Sequence, residues 1–167
     1  MIKMRFQTFS YRFAEQVLNS KLATKKEIEE IMTLIKPKGF SRPELNEIFE
    51  REFMERGWQK QPQVFEEITD IAAKIDYLKD RVGVEVAFSH SSFIGIDLLK
   101  FQALSYSNLD KIDVGIYITV TRDQRRRFEH EYNKKWQGSL TFEKVCKYLP
   151  HFRSAIQIPV FVYGIEE

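Results

Sequence analysis

Residues 72–90 read AAKIDYLKDRVGVEVAFSH. Val82, Val84, Val86 and Phe88 alternate with Gly83, Glu85, Ala87 and Ser89. That is the period of a strand with one apolar face and one small, polar face. The preceding residues read as its partner, so residues 72–79 and 82–88 form a hairpin around a two-residue turn at Asp80-Arg81. Lys79 then pairs with Val82, and paired numbers sum to 161. Tyr77 faces Val84, Asp76 faces Glu85 and Lys74 faces Ala87. A slip of one residue would turn Glu85 to the other face.

Two carboxylates opposed across a strand pair repel, with Cβ atoms about 5 Å apart. A bound divalent cation, a shared proton or a neighbouring base can offset this. Two carboxylate oxygens and a strand-edge carbonyl suit a hard cation such as Mg²⁺, which keeps its remaining waters. Gly83, Ala87 and Ser89 are small and leave room for a large ligand against the sheet. The plain alternative is a solvent-facing strand pair with ordinary surface charges.

Working outward, the opening Ile2, Met4, Phe6 alternation predicts a strand, and residues 11–19 a helix. Thr24 with Glu27 predicts a capped helix ending near Pro37, and Ser41 with Glu44 a second, stopping at Gly57. An extended segment follows near residues 59–65. Residues 94–107 predict an apolar helix. Residues 112–120, IDVGIYITV, read as a central strand covered on both faces. Thr121 with Gln124 caps a polar helix reaching Lys135, and residues 141–149 form a short helix. The last strand, IQIPVFVYGI, is assigned an edge position because of Pro159. The whole predicts a mixed α/β or α+β sandwich.

The 167 residues suit a single domain over 1–167 with a sizeable core. With 43% apolar and 14% aromatic residues, the composition excludes a disordered tail. The net charge of +2 is too small to signal nucleic acid by itself, so any basic surface must be local. One cysteine, Cys146, excludes an intrachain disulfide and a cysteine-built zinc site, which points to a reducing cytoplasm. No apolar run approaches a membrane span, and the N-terminus lacks the apolar core of a signal peptide. His90, His130 and His151 are too far apart for a local zinc motif, and no nucleotide-cofactor loop is present.

Asp76, eight residues, then Glu85-Val86-x-Phe88, a polar turn, an apolar helix and IDVGIYITVTR together resemble BglII-type restriction endonucleases, within the PD-(D/E)xK nuclease superfamily. The preceding ELNEIFEREFMERGWQ is similar to the helix that family places before its catalytic hairpin. The likeness covers roughly residues 44–120. It implies a central mixed sheet flanked by helices. It also implies a Mg²⁺-dependent type II enzyme that cuts double-stranded DNA as a homodimer, with no membrane and no nucleotide cofactor involved. Asp76 and Glu85 would be the metal-binding carboxylates, and Val86 would lend its carbonyl. The third catalytic position, usually Lys and in this branch Gln or Glu, falls on Ala87. Three explanations stand side by side. Lys74 supplies the cation from the partner strand; Ala87 is an inactivating substitution; or the chain is a binding-only relative.

DNA-contacting candidates are Ser89, His90 and Ser91 after the second strand, which are equally good at satisfying a turn. The dense basic run Arg122, Arg125, Arg126, Arg127 suits phosphates and guanine edges, or forms a solvated helix face. Lys38 and Arg42, with Lys36, make a second basic patch. Among Glu44, Glu47 and Glu50, one is placed to face the metal through water, or all three are surface charges. Trp58 is read as a packing anchor.

Overall fold

The structure is a computed structural model that describes residues 4–36, 38–62, 64, 74–106 and 110–167. The strands are β1 (Arg5–Tyr11), β2 (Gln59–Lys60), β3 (Tyr77–Lys79), β4 (Val82–Val86), β5 (Val114–Val120) and β6 (Val160–Glu166). The helices are α1 (Ala14–Asn19), α2 (Leu22–Leu34), α3 (Arg42–Glu55), α4 (Ile94–Ser105), α5 (Arg122–His130) and α6 (Phe142–Tyr148). One sheet runs in the order β1-β6-β5-β4-β3-β2. β4, β5 and β6 are parallel, and the remaining pairs are antiparallel.

The expected α/β layering is present. Every residue of β5 is buried, as a strand covered on both faces requires. Leu45, Phe49 and Phe53 of α3 share one core with Val82, Val84, Ile116 and Ile118. Leu98, Phe101 and Leu104 of α4 share the other with Tyr117 and Val162. Gly115 permits this second packing, because a Cβ there would come 2.7 Å from the Phe101 ring.

Two helix starts follow the sequence reading. Ser41 and Glu44 make a reciprocal capping box, and the Thr121 side chain accepts from the Gln124 N–H at 3.2 Å.

Several expectations are corrected. Thr24 caps nothing: α2 begins at Leu22, and the Thr24 hydroxyl donates to Asp80 Oδ2 at 2.8 Å. It thereby braces the hairpin turn, where Asp80 and Arg81 both adopt positive φ (50° and 62°) without a glycine. β6 is not an edge strand but lies between β1 and β5. Pro159 precedes the strand, so its missing N–H interrupts no rung, and its carbonyl accepts from the Gly115 N–H at 2.9 Å. The hairpin strands are shorter than read, at 77–79 and 82–86; residues 72–73 lie outside the described residues. The helix after Thr121 ends at His130, well short of Lys135.

Candidate active site

The tight turn sets the pairing Lys79–Val82, Leu78–Gly83 and Tyr77–Val84, as the sequence predicts. The ladder then changes. The Asp76 N–H donates to the Val84 carbonyl at 3.1 Å, so Asp76 and Tyr77 together oppose Val84. This is a β-bulge, a device that re-aims a side chain. Asp76 therefore does not sit squarely opposite Glu85. Its Oδ2 accepts the Val86 N–H at 2.7 Å. A strand residue projects its N–H and C=O to the same edge, so the Val86 carbonyl faces this side too.

Glu85 is 4% exposed and lies on the face of β4 that α4 covers. Of the small residues there, Ala87 makes room for α4 and Gly83 for Ile75 and Ile112, whereas Ser89 is exposed and lines a cleft. A Cβ at Gly83 would come within 3.2 Å of Ile112 and Ile75, and Ala87, 6% exposed, belongs to the α4 core. Glu85 meets an ammonium that descends from that helix. Lys100 Nζ contacts Glu85 Oε1, lies 3.1 Å from Asp97 Oδ1 and donates to the Lys74 carbonyl at 2.9 Å. The Lys74 contact is a hydrogen bond, whereas the two carboxylates are ion-pair partners, and Glu85 Oε1 accepts no hydrogen bond among the described residues. The Tyr117 hydroxyl donates to Asp97 Oδ2 at 2.8 Å and fixes that carboxylate in turn.

Burial and the neighbouring Asp76 push Glu85 up to about 9, against the pull of Lys100. Burial also raises Asp76, opposed by its hydrogen bonds to the Val86 N–H and to Glu85. Each carboxyl is thus raised by burial, and Glu85 also by the charge of Asp76. Burial would lower the Lys100 ammonium, but Glu85 and Asp97 outweigh it and hold it above its ordinary range.

Lys100 has no counterpart in the sequence reading, where Lys74 is one of three explanations offered for Ala87. The Lys74 residue is exposed, and the group it brings to the cluster is its carbonyl. A signal for Lys100 is present: Asp97 and Lys100 are the only charged residues in α4, three apart and so on one face.

Beside the carboxylates lies a cleft of about 280 Å³ lined by Asn46, Glu50, Lys60, Gln61, Asp76, Tyr77, Val86 and Ser89. Arg42, Asn46 and Glu50 recur every four residues and share a face of α3. Of the three glutamates considered, Glu50 lines the cleft, ion-paired with Lys60, whereas Glu44 serves the helix cap.

The other candidates scatter. His90 Nδ1 accepts from the Ser92 N–H at 3.2 Å, and its ring packs on Gly138, where a Cβ would come 2.8 Å away. Ser91 Oγ accepts from Lys144 Nζ at 2.7 Å. Arg125 turns toward the Ser139 carbonyl and Glu129. Arg127 is held by Glu131 and, at 2.7 Å, by Glu167. Arg126 is exposed, 3.9 Å from an equally exposed Asp123, and Arg122 is exposed at the start of α5. Lys38 stacks over Phe40 and, with Lys36, lines a separate cavity of about 410 Å³ that holds no carboxylate pair. Trp58 is an anchor, as expected: it is buried, and its Nε1 donates to Glu27.

The architecture has solved counterparts. The restriction endonuclease BglII complexed with a DNA 16-mer matches at a TM-score of 0.79 and 20% identity, over 98% of this chain and 77% of that one. Free BglII matches at 0.70 and 21%, over 98% and 80%. No curated protein matches the chain in sequence. The fold is that of a restriction endonuclease. The family model described as restriction endonuclease BglII/BglIII matches residues 6–165, and the chain belongs to that family. The family thus extends over nearly the whole chain, beyond the span on which the sequence likeness rested.

Proposed function

We propose that the chain is a Mg²⁺-dependent type II restriction endonuclease that hydrolyses backbone phosphodiesters of double-stranded DNA at a short specific site. The observation that carries this is the pair of neighbouring carboxylates, buried Glu85 and half-buried Asp76, the second held by the Val86 N–H at the edge of a polar cleft. Together with Asp97 it counts three carboxylates against one ammonium, Lys100. Fully ionised, the cluster carries two negative charges, which one divalent cation neutralises.

The donor set fits such an ion: carboxylate oxygens of Asp76 and Glu85 and the carbonyl of Val86, all hard ligands. When bound, the cation polarises the phosphate and acidifies a coordinated water. The chain's residues prepare this. Val86 N–H holds Asp76 in place, Glu85 gives up its proton to admit the ion, and Asn46, Gln61 and Ser89 line the approach. Arg42, on the same face of α3, and Arg122 and Arg126 at the start of α5 supply phosphate contacts.

Duplex DNA as substrate draws support from BglII, solved with a DNA 16-mer. Its two strands run antiparallel, so one carboxylate pair per strand calls for two copies related by a twofold axis. The outer side of α4 and the turn before it expose Phe93, Ile96 and Leu99, each about half accessible. We assign this patch to a second copy of the chain. A cytoplasmic location agrees with the single cysteine, and no described helix is long and apolar enough to cross a membrane.

The test is incubation with a long natural DNA and Mg²⁺, with the ends sequenced. Discrete fragments with uniform ends are expected. A gel shift without cutting would instead favour the second reading, a catalytically inactive DNA-binding relative, for which Ala87 is the specific observation.

A further inference from the structure

We propose that Lys100, delivered from α4, supplies the cation that position 87 lacks. This rests on the nuclease reading above and names the group that completes its site. Residues 85 and 87 share one face of β4, because side chains two apart in a strand point the same way. That face is covered by α4, where Ala87 is enclosed. An alanine can neither donate a hydrogen bond nor carry charge. The Lys100 ammonium enters the same side of the sheet and touches Glu85 directly.

The site around Lys100 is built, not incidental. Its side chain is 14% exposed, its ammonium lies against Glu85 and Asp97, and one donor is fixed by the Lys74 carbonyl, which leaves donors for a water or a phosphoryl oxygen. Tyr117, fully buried in the central strand, holds Asp97 from behind. A supporting layer of this kind fixes a functional group to a single position. A methionine at 100 would lie one turn from buried Leu104, on the same side of α4, without the cost of desolvating an ammonium, so stability alone does not account for the lysine.

In the hydrolysis, a water oxygen bonds to phosphorus as the ester P–O bond breaks. The water loses a proton to solvent, and the leaving oxygen takes one from it. Lys100 keeps its proton throughout. Its part is to orient the water and stabilise the charge that grows on the phosphoryl oxygens, an effect concentrated by a buried setting.

The test compares Lys100→Met, Lys100→Gln, and Lys100→Met combined with Ala87→Lys, each verified as folded by circular dichroism. Three quantities are measured: single-turnover cleavage with Mg²⁺, Mn²⁺ affinity by calorimetry without DNA, and duplex binding in Ca²⁺. Lys100→Met and Lys100→Gln should each cut about 100-fold or more slowly, in the range seen when one stabilising donor is removed. Their Mn²⁺ affinity should hold or tighten, since a positive charge has left, and duplex binding in Ca²⁺ should weaken by no more than a few-fold. Adding Ala87→Lys should recover at least about tenfold of the loss, by restoring a cation on that face. Lys100→Met cutting at the unmodified rate with tighter Mn²⁺ binding would overturn the proposal and make Lys100 a mere counter-charge. An unmodified protein that binds Mn²⁺ and cuts nothing until Ala87→Lys is introduced would also overturn it, yet leave the nuclease reading intact. If neither protein cuts, the nuclease reading fails and this proposal fails with it.

Discussion

Asp76 Oδ2 accepts the Val86 N–H at 2.7 Å, so a carboxylate takes the place that a ladder carbonyl would otherwise fill. The bulge at Asp76 makes this possible, and it binds the position of one candidate ligand to that of a second, the Val86 carbonyl. Asp76→Asn keeps an oxygen that can accept from Val86 and removes the charge. The variant should fold normally, lose cleavage by about 100-fold or more and bind Mn²⁺ much more weakly. Unchanged Mn²⁺ affinity in calorimetry would remove Asp76 from the ligand set.

Glu85 offers a pH signature in metal-free buffer. Its carboxyl is held up to about 9 in the folded chain by burial and by Asp76, against an ordinary value of 4.5. Between those two values the folded state binds more protons than the unfolded state, so this group's contribution to stability falls as pH rises. Glu85→Gln replaces the titrating acid by a neutral group. Its melting temperature should therefore rise relative to the unmodified protein on going from pH 5 to pH 9, at about 3 °C per kcal/mol for a chain this size. A melting difference that is flat across that range would show that Glu85 stays ionised when buried.

The hairpin is legible in the sequence because its turn leaves only one register near Asp80-Arg81, and the apolar alternation of β4 agrees with it. The bulge is not, since nothing in the order Ile75-Asp76-Tyr77 marks a doubled residue. The purpose of Gly83 and Ala87 is hidden for a related reason. Small residues on a strand face announce close approach, but what approaches is decided largely outside the hairpin, by Ile112 at Gly83 and by α4 at Ala87. Lys100 stays hidden behind the same fact: its role depends on packing across the sheet, and spacing within the hairpin carries no trace of it. Pro159 shows the limit of a single-residue rule, because one position of offset separates a broken rung from a harmless strand entry.

The arginines of α5 divide by their partners. Arg127 is bound to Glu131 and Glu167, and Arg125 is drawn to Ser139 and Glu129, whereas Arg122 and Arg126 face outward. Arg122→Ala with Arg126→Ala should lower the slope of log affinity against log salt by about 0.9 for each phosphate that is no longer neutralised. Arg127→Ala should instead leave the slope in place and lower the melting temperature by about 2 °C. Filter binding over a salt series separates the two. A slope unmoved by the double variant would make the run a solvated helix face.

α4 carries two surfaces with different duties. Its inner side brings Asp97 and Lys100 to the carboxylates, and its outer side exposes Ile96 and Leu99 next to Phe93. Charges placed on the outer side leave Leu98, Phe101 and Leu104 in their core, so folding should survive. Ile96→Glu with Leu99→Glu would bring four like charges together across a twofold axis and oppose association. Sedimentation should report a dimer for the unmodified protein and a monomer for the variant. Each monomer still owns a complete set of Asp76, Glu85 and Lys100, so activity should change in kind: a supercoiled plasmid should be nicked in one strand slowly, and rarely made linear. A variant that remains dimeric would move the partner surface away from α4, and a monomer that linearises plasmid at the unmodified rate would show that one chain reaches both strands by itself.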